Sequence, residues 1–383
     1  MRTLYLFVIE SGKISQSRIL ILTLQEKIGR ITSGFLVTQS NVHRVMRCTK
    51  QNKGKIHSEK VLKDGKFSVS SFFCGCGGLD LGFRGDFEYL GEKYNELPFR
   101  IQEAYDFNVP CIETYNRYFR HHDGHRAEVK DLSQADVSEF KSSDILIGGF
   151  PCQEFSSCGP LGGLESERGQ LYKALIRYMD EYKPSVVVGE NVINLLRMND
   201  GAVIRTIVED LKAVGYKVEV WNLFAPDYGI PQRRNRLFFI CVREDLQGFP
   251  AMPEPKFAFN HRTIEWAIGD LVDITDESVP NQSQFFAASK AKKGNGQGDE
   301  VNDSNKPAYT IRANPKSRVQ FHYSLPRRLT VRECARIQTF PDDFVFKHSK
   351  TTSMSQIGNA VPPVLAHLVA TSVAEFMSKI TNK

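Results

Sequence analysis

The stretch FSVSSFFCGCGG (residues 67–78) is an apolar run that leads directly into a glycine-rich turn. Short apolar runs bounded by glycine are typical of buried strands. Glycines at the end of a strand let the backbone turn tightly and approach a ligand closely. The turn is not the dinucleotide fingerprint GxGxxG, because Asp80 stands where the third glycine belongs. The stretch therefore predicts a strand and a ligand-binding loop, with a plain tight turn as the alternative.

Further apolar runs follow this strand and alternate with segments of helical spacing. They predict strands at 67–73, 99–105, 144–147, 185–188, 218–224 and 237–242. Helical spacing occurs at 110–119, 170–182 and 202–214, and it returns at 330–338 and 363–377. Strands that alternate with helices form crossover units on a mostly parallel sheet. We therefore predict an α/β fold of Rossmann-like type with helices on both faces.

The alternation of predicted strands and helices begins at residue 67. Residues 1–66 hold 13 Lys and Arg against 4 Asp and Glu, so they form a basic N-terminal extension. The net charge of the whole chain is only +6. Within this extension, residues 22–28 and 38–47 have sequences typical of helices. The second segment resembles a short basic recognition helix. The alternative is a loosely ordered extension, or a translated leader before a start at Met46.

Residues 245–325 interrupt this alternation of strands and helices. We expect a small irregular domain there, inserted between the main part of a catalytic domain at 67–244 and its completion at 326–383. Residues 286–332 carry 10 basic and 3 acidic side chains. Two basic regions around a mildly acidic body are compatible with a polyanionic partner, with a solvated basic face as the alternative.

The composition excludes several classes of protein. Apolar residues make up 41% and charged residues 25%, as in an ordinary globular protein. No run reaches the ~18 apolar residues of a membrane span, and the start is not a convincing secretory signal. The 8 cysteines form no CxxC pair, so we expect neither a disulfide scaffold nor a metal site, and a reducing cytoplasm as the compartment.

The second strand ends in Tyr105-Asp106-Phe107. An acid at this place typically binds the ribose hydroxyls of an adenosine, and an aromatic beside it can stack on the base. The alternative is that Asp106 caps the helix that follows. A glycine loop and an acid at neighbouring strand ends favour the adenosine interpretation.

Three further strand ends carry reactive side chains. Gly-Gly-Phe-Pro leads into Cys152, Glu190 follows the next strand, and Arg234 and Arg236 lead into the last one. A thiol, an acid and arginines at one sheet edge supply a nucleophile, a proton donor and anion-binding groups. Inert packing is the alternative for Cys152, and it is our prediction for Cys48, Cys111, Cys241 and Cys334. A redox pair of Cys152 with Cys158 is a further alternative.

These segments resemble the ordered motifs of the cytosine-5 DNA methyltransferases, especially those of bacterial restriction–modification systems. The resemblance covers residues 67–244 and 326–383, and Ser71 departs from it because an acid is common there. The matching motifs are FxGxGG at 73–78, GFPCQEFS at 149–156, ENV at 190–192, QxRxR at 232–236, RLTVRE at 328–333, QTFP at 338–341 and QIGNAVPP at 356–363.

The resemblance implies a cofactor, S-adenosylmethionine, and a set of residues around it. It implies Cys152, Glu190, Arg234 and Arg236 as the catalytic group, with Gln153 and Ser156 on the DNA. We further expect Arg312, Lys316 and Arg318 of the inserted domain to read bases, carried by a strand-like run at 308–311. The implied cofactor residues are Phe73, Gly75, Gly77, Gly78, Asp106, Phe107, Asp131, Leu171, Asn359 and Val361.

The expected activity is methylation of carbon 5 of a flipped-out cytosine in double-stranded DNA, through a covalent adduct at Cys152. We expect a monomer that protects host DNA from a cognate restriction endonuclease and has no membrane partner. One alternative is the tRNA methyltransferase branch of the same family, although this chain lacks the Pro-Pro-Cys and Cys-Phe-Thr segments of that branch. Another is a DNA-binding regulator that acts through residues 1–66.

Overall fold

The structure is a computed structural model that describes residues 65–122, 126–150, 171–283, 294–295, 299–313 and 320–382. It also describes the backbone of residues 4–10 and 13–19. Several predicted features lie outside these ranges, namely Cys48, Cys152, Gln153, Ser156, Cys158, Lys316, Arg318 and the helices expected at 22–28 and 38–47.

A nine-stranded sheet forms the centre of the molecule, in the order β2-β1-β10-β11-β9-β8-β3-β6-β7. The pairs from β9 to β7 are parallel, and β1 and β11 run opposite to the other seven strands. The strands are β1 Leu4–Glu10, β2 Lys13–Ile19, β3 Phe67–Phe72, β6 Phe99–Asp106, β7 Glu128–Val129, β8 Ile145–Gly149, β9 Val186–Val192, β10 Tyr216–Phe224 and β11 Asn235–Arg243, while β4 Phe87–Tyr89 and β5 Glu92–Tyr94 form a separate hairpin.

The strands have continuous apolar sequences because helices cover both faces of the sheet, so that side chains on either face are buried. Successive residues of β8 alternate between two hydrophobic clusters, with Ile145 and Ile147 on one face and Leu146 on the other. Helices Gly78–Arg84, Val109–His122, Val331–Ile337 and Pro363–Thr381 contribute to the first cluster. Helices Lys173–Tyr182 and Ala202–Ala213 contribute to the second. The predicted α/β fold with helices on both faces is confirmed.

The helix Pro363–Thr381 closes the first face. Residues 350–381 include a window apolar and long enough to cross a membrane, with a mean hydropathy of 1.4, but 72% of that window is buried inside the protein. A Cβ added at Gly82 would lie 2.3 Å from the Cβ of Ala366, so this helix packs closely on helix Gly78–Arg84. Its apolar surface therefore forms part of the core, against the helix that follows the glycine loop.

The inserted region is joined to residues 326–337 by the ion pairs Arg328–Asp299 and Arg336–Asp270, and a further buried ion pair lies within residues 326–337. Arg327 binds Glu333 through two hydrogen bonds of 2.9 and 2.6 Å, and Glu333 also belongs to the capping box that begins the helix at Thr330. Arg336 binds Asp270 from the helical segment 264–271. Helices Ile264–Ile268 and Lys350–Asn359, which the sequence did not predict, complete this part.

Three expectations about secondary structure were wrong or incomplete. The strand-like run at 308–311 makes only an isolated bridge, between Gln232 and Ala308. Its backbone is bonded to the segment 231–233, and Ala308 and Ile311 are each 1% exposed, so it cannot enter a DNA groove as a free strand. Residues 4–19, predicted as part of an undefined extension, contain the paired strands β1 and β2. The short strands β4, β5 and β7 were also not predicted.

Candidate active site

The carboxyl ends of the parallel strands meet at one edge of the sheet, where open α/β folds bind their ligands. At this edge Gly149 of β8 is the register partner of Glu190 of β9. A Cβ at Gly149 would lie 3.3 Å from Glu190 Oε2, so the glycine leaves room for the carboxylate. Cys152 follows Gly149 by three residues and lies outside the described residues.

Glu190 is buried beside a guanidinium. It is 7% exposed, and its Oε1 lies 2.6 Å from Arg236 Nε, which makes an ion pair rather than a linear hydrogen bond. Burial raises the pKa of the Glu190 carboxyl above its ordinary range, although the charges of Arg236 and Arg234 act to lower it. A carboxyl with a raised pKa holds its proton to higher pH than an exposed glutamate does, which suits it to act as a proton donor.

Arg234 has a different environment from Arg236. It is 1% exposed, and its guanidinium donates to the carbonyls of Ile311 at 3.2 Å and of Gly358 and Ala360 at 2.9 Å. Burial lowers the pKa of Arg234 well below its ordinary value, and the charge of Arg236 lowers it further. The structure therefore brings Arg236 to Glu190, whereas Arg234 joins three backbone segments next to them.

The glycine loop is bonded to the acid at the end of the second strand. The Gly75 N–H donates to Asp106 Oδ2 at 3.0 Å, and the Asn108 N–H donates to Oδ1 at 2.8 Å. Burial raises the pKa of Asp106, against the lowering effect of these backbone bonds. Asp106 thus stabilises both the loop and the turn before helix Val109–His122. The side chain that accepts from the first turn of this helix is Asn108, whose Oδ1 lies 3.2 Å from the Cys111 nitrogen. Phe73 and Gly75 both adopt a left-handed backbone, with φ of 56°.

Gly77 and Gly78 are required by close approaches of other elements. A Cβ at Gly77, where φ is 95°, would lie 2.4 Å from the Phe119 ring. A Cβ at Gly78 would lie 2.4 Å from the carbonyl oxygen of Val361. The segment at 358–363 therefore returns to the glycine loop, as the sequence analysis expected, and Val361 contacts the loop through its backbone.

The other predicted cofactor residues lie in varied settings. Phe107 is 59% exposed, which leaves its ring free for a ligand. Asp131 is exposed, and its Oδ1 accepts from the N–H and hydroxyl of Ser133, so it caps a turn. Leu171 is half-buried in the turn before helix Lys173–Tyr182, and Asn359 is exposed at the end of its helix.

Two residues that hold this edge together received no role from the sequence. Asn191 is 1% exposed, and its Nδ2 lies 3.4 Å from the carbonyl of Phe150, two residues before Cys152. Gln232 is fully buried, and its Oε1 accepts from the N–H of Ile311 at 2.9 Å. Both belong to motifs that the sequence analysis quoted, ENV and QxRxR, so their position in those motifs was the available signal.

Of the three expected base-reading residues, the structure describes Arg312. It is half-buried, and it follows Ile311, which Arg234 and Gln232 hold at the catalytic edge. A Cβ at Gly358 would lie 2.5 Å from the Arg312 carbonyl carbon, so this backbone lies directly against the segment 358–363. The buried thiols of Cys111, Cys241 and Cys334 fit the packing role predicted for them, since burial raises the pKa of each.

Comparison with known families and proteins identifies this arrangement. The family model described as C-5 cytosine-specific DNA methylase matches residues 67–375. The chain is similar to the Type II methyltransferase M.BspRI of Lysinibacillus sphaericus, with 35% identity over 82% of this chain and 83% of the relative. It is also similar to the Type II methyltransferase M.BsuRI of Bacillus subtilis, with 32% identity over 83% of this chain and 82% of the relative.

Solved structures share the fold. A putative DNA modification methyltransferase of E. coli superposes with a TM-score of 0.63 at 23% identity, over 83% of this chain and all of that one. The S. pombe Dnmt2 methyltransferase superposes with a TM-score of 0.57 at 16% identity, over 82% of this chain and 99% of that one. With the family model matching most of the chain, this protein belongs to the C-5 cytosine-specific DNA methylases and is a DNA cytosine-5-methyltransferase.

Proposed function

We propose that this enzyme methylates carbon 5 of a flipped-out cytosine through a covalent adduct at Cys152, with S-adenosylmethionine as the methyl donor. The observation that carries the proposal is the pairing of Gly149 with Glu190, whose carboxyl is buried against Arg236. The nucleophile loop therefore starts beside a proton donor and a cation. A target base cannot be reached inside a duplex, so it must leave the stack at a cost of a few kcal/mol.

The chemistry requires that the aromatic ring of cytosine be activated before carbon 5 can accept a methyl group. The Cys152 thiolate forms a bond to carbon 6, while Glu190 donates a proton towards ring nitrogen 3, where charge develops. Arg236 stabilises the ring oxygen at position 2, because donors aimed at developing charge are most effective in a buried site. After carbon 5 is methylated, a base removes its proton, the bond from carbon 6 to Cys152 breaks and the ring regains aromaticity.

The residues at the glycine loop suit an adenosine-containing cofactor. Asp106 would accept the ribose hydroxyls, and the exposed ring of Phe107 would stack on the adenine. Gly78 and Val361 would form the wall of the site where the chain returns. When bound, S-adenosylmethionine supplies an electrophilic methyl group on a sulfonium. Asp131, Leu171 and Asn359 would complete the site.

We further propose the biological setting and the division of DNA contacts. Relatives named Type II methyltransferases favour a role in protecting DNA from a restriction endonuclease of the same specificity. Gln153 and Ser156 would contact the DNA near the flipped base, and the region 245–325 would select the sequence. An enzyme acting on bacterial DNA in this way works in the cytoplasm.

A covalent trap tests the proposal. DNA with 5-fluorocytosine at the target holds the adduct, because fluorine at carbon 5 cannot be removed as a proton. We expect the wild-type protein and Cys158→Ala to be trapped, and Cys152→Ala to show neither trapping nor labelled methyl transfer while it still binds S-adenosylmethionine. A trapped peptide that contains Cys158, or turnover above a few per cent in Cys152→Ala, would contradict the assignment.

A further inference from the structure

A buried carboxyl beneath the glycine loop has no part in the chemistry described so far. Asp80 lies in the first turn of helix Gly78–Arg84 and is fully buried. Its Oδ1 accepts from the hydroxyl of Tyr115 at 3.1 Å. Its Oδ2 and the nearby Ser71 Oγ have no hydrogen-bond partner of full geometry among the residues that the structure describes. One face of this carboxyl is therefore held and the other is left unsatisfied, which is costly for a buried oxygen.

The neighbours of Asp80 lie beside the proposed cofactor site. Ser71 is on strand β3, and the Tyr115 ring lies against Gly77, where an added Cβ would be 2.9 Å away. The titratable groups that face Asp80 are Tyr115, Asp106 and the thiols Cys74 and Cys76. Burial raises the pKa of both thiols well above their ordinary value, so they stay neutral near pH 7.

Asp80 changes its charge near neutral pH. Burial raises the pKa of Asp80 to about 7, although the nearby hydroxyl of Ser71 and the bonded hydroxyl of Tyr115 act to lower it. The folded protein thus retains a proton on Asp80 between about pH 4 and pH 7, where the unfolded chain has lost it. The unfolding free energy must fall as pH rises through that window, because ionisation is then less favourable in the folded state.

An ionisable group kept at a cost to stability is typical of functional sites. We propose that ionised Asp80 is a positioning residue that determines cofactor charge preference: its buried negative charge makes the site favour a cationic sulfonium ligand over the uncharged thioether that methyl transfer leaves behind. The inference rests on the proposed function of the glycine loop as the S-adenosylmethionine site. It would help product to leave, because the thioether has lost the charge that Asp80 attracts.

Titration calorimetry of the full chain with S-adenosylmethionine and with S-adenosylhomocysteine tests this inference. The two ligands share their amino, carboxyl and adenosine groups, so the ratio of their dissociation constants isolates the sulfonium charge. We expect Asp80→Asn, which keeps the shape of the side chain, to reduce the preference for the sulfonium on the order of ten-fold, the equivalent of about one pK unit. In the wild type the preference should fall as pH is lowered through about 7, and Asp80→Asn should abolish this dependence.

Two controls separate charge from packing. Tyr115→Phe keeps the carboxylate but removes a hydroxyl that lowers its pKa, so it should move the pH dependence of the ligand ratio to higher pH and keep the full preference once Asp80 is ionised. The double variant Ser71→Asp with Asp80→Ser exchanges the two side chains, so that the carboxyl stands on strand β3 instead of on the helix. If Asp80→Asn or Asp80→Ser loses the preference for the sulfonium ligand, this double variant should restore it. Above pH 7, Asp80→Asn should also raise the denaturant midpoint, because it removes the cost of a buried charge. If Asp80 had only a structural role, Asp80→Asn would lower the stability of the protein. A variant that is more stable and binds the sulfonium ligand less tightly therefore indicates a functional role.

The outcomes are distinguishable. If the wild type binds neither ligand, the proposed cofactor site fails and this inference fails with it. If the wild type binds both and Asp80→Asn weakens both equally, the cofactor site stands and the role of Asp80 is overturned. If Asp80→Asn does not fold, the wild-type pH titration and the exchanged variant decide, and a ratio independent of pH in the wild type overturns the inference.

Discussion

Two arginines of one motif illustrate how position at the residue scale determines role. Arg234 and Arg236 precede and begin strand β11, yet Arg234 donates to three carbonyls while Arg236 pairs with Glu190. The three carbonyls belong to segments 77 to 126 residues away in the chain. The planar guanidinium of arginine carries several N–H donors in a fixed arrangement and can bind several carbonyls at once. The ammonium group of lysine cannot reproduce this arrangement. We therefore propose that Arg234 is a positioning residue and that Arg236 is the catalytic one of the two.

Paired substitutions to lysine test this distinction. Arg234→Lys should lower the free energy of unfolding by about 1–3 kcal/mol, because buried carbonyls lose their donors. Arg236→Lys keeps the positive charge beside Glu190 and should lower the methylation rate with little loss of stability. Denaturant unfolding and single-turnover methylation would measure the two effects. An equal loss of stability in both variants would remove the distinction.

Glu190 provides a test that depends on pH. Since burial raises the pKa of its carboxyl, the protonated form persists to higher pH than for an exposed glutamate. A proton donor is lost as pH rises through that pKa, so the methylation rate should decline on the alkaline side. Glu190→Gln should reduce the rate about 10²–10³-fold and remove this alkaline decline. A pH profile of single-turnover rates checks it, and an alkaline decline retained in Glu190→Gln would assign it to another group.

At the scale of elements, hydrophobic periodicity predicted the main strands and helices, and their ends differ by a few residues. Strand β9 extends to Val192, beyond the predicted end at 188, because it pairs with β11 on one side and β8 on the other. The two-residue strand β7 has too few residues to produce a pattern. The run at 308–311 was misjudged because its partner, the segment 231–233, lies far away in sequence. Long-range backbone bonds of this kind leave no local periodicity.

The same reasoning applies to the candidate site. The sequence placed Glu190, Arg236, Gly78 and Val361 at one edge, and the structure brings each to it. It could not predict that Asp80 and Ser71 share a buried contact, because the contact depends on how a strand and a helix pack. It noticed only that Ser71 departs from the family motif and that Asp80 interrupts a glycine pattern.

The junction of the glycine loop with the C-terminal segment gives a prediction at this scale. Gly78→Ala would place a Cβ 2.4 Å from the Val361 backbone oxygen, so one of the two elements must shift. We expect a loss of about 1–3 kcal/mol in unfolding free energy and weaker binding of S-adenosylmethionine. Gly269→Ala is the matched control, because Gly269 has a helical φ of −64° and its nearest neighbours would be 3.6 Å away. Equal stability of the two variants in denaturant would show that the close approach does not matter.

At the scale of the whole molecule, burial changes how the charge pattern is interpreted. Residues 67–244 carry 20 basic and 26 acidic side chains, so positive charge is concentrated on either side of them in sequence. Residues 286–332 hold 10 basic side chains. Among those that the structure describes, three are buried: Arg327 and Arg328 in ion pairs, and Arg332 on backbone carbonyls. Arg328 binds Asp299 of the inserted region, and Arg332 donates to the carbonyl of Pro280, which also lies in that region. Arg327 binds Glu333 within the C-terminal part, so the charges of all three arginines are already engaged inside the protein. We propose that the basic residues within 1–66 supply contacts to DNA phosphates.

This distribution predicts separate effects on sequence choice and on affinity. Arg312 follows the backbone that Arg234 fixes at the catalytic edge, so its substitution should act on one base pair. Arg312→Ala should cost ~1–3 kcal/mol at that pair and relax selection there. Neutralising Lys and Arg within residues 1–66 should instead lower affinity on all sequences alike and flatten its salt dependence, because fewer counterions are released from DNA. Sequencing of methylated sites and binding titrations across salt concentrations would measure both, with Arg318→Ala as a second test of base selection. A changed target site in the neutralised N-terminal variant, together with an unchanged site in Arg312→Ala and Arg318→Ala, would reverse the two roles.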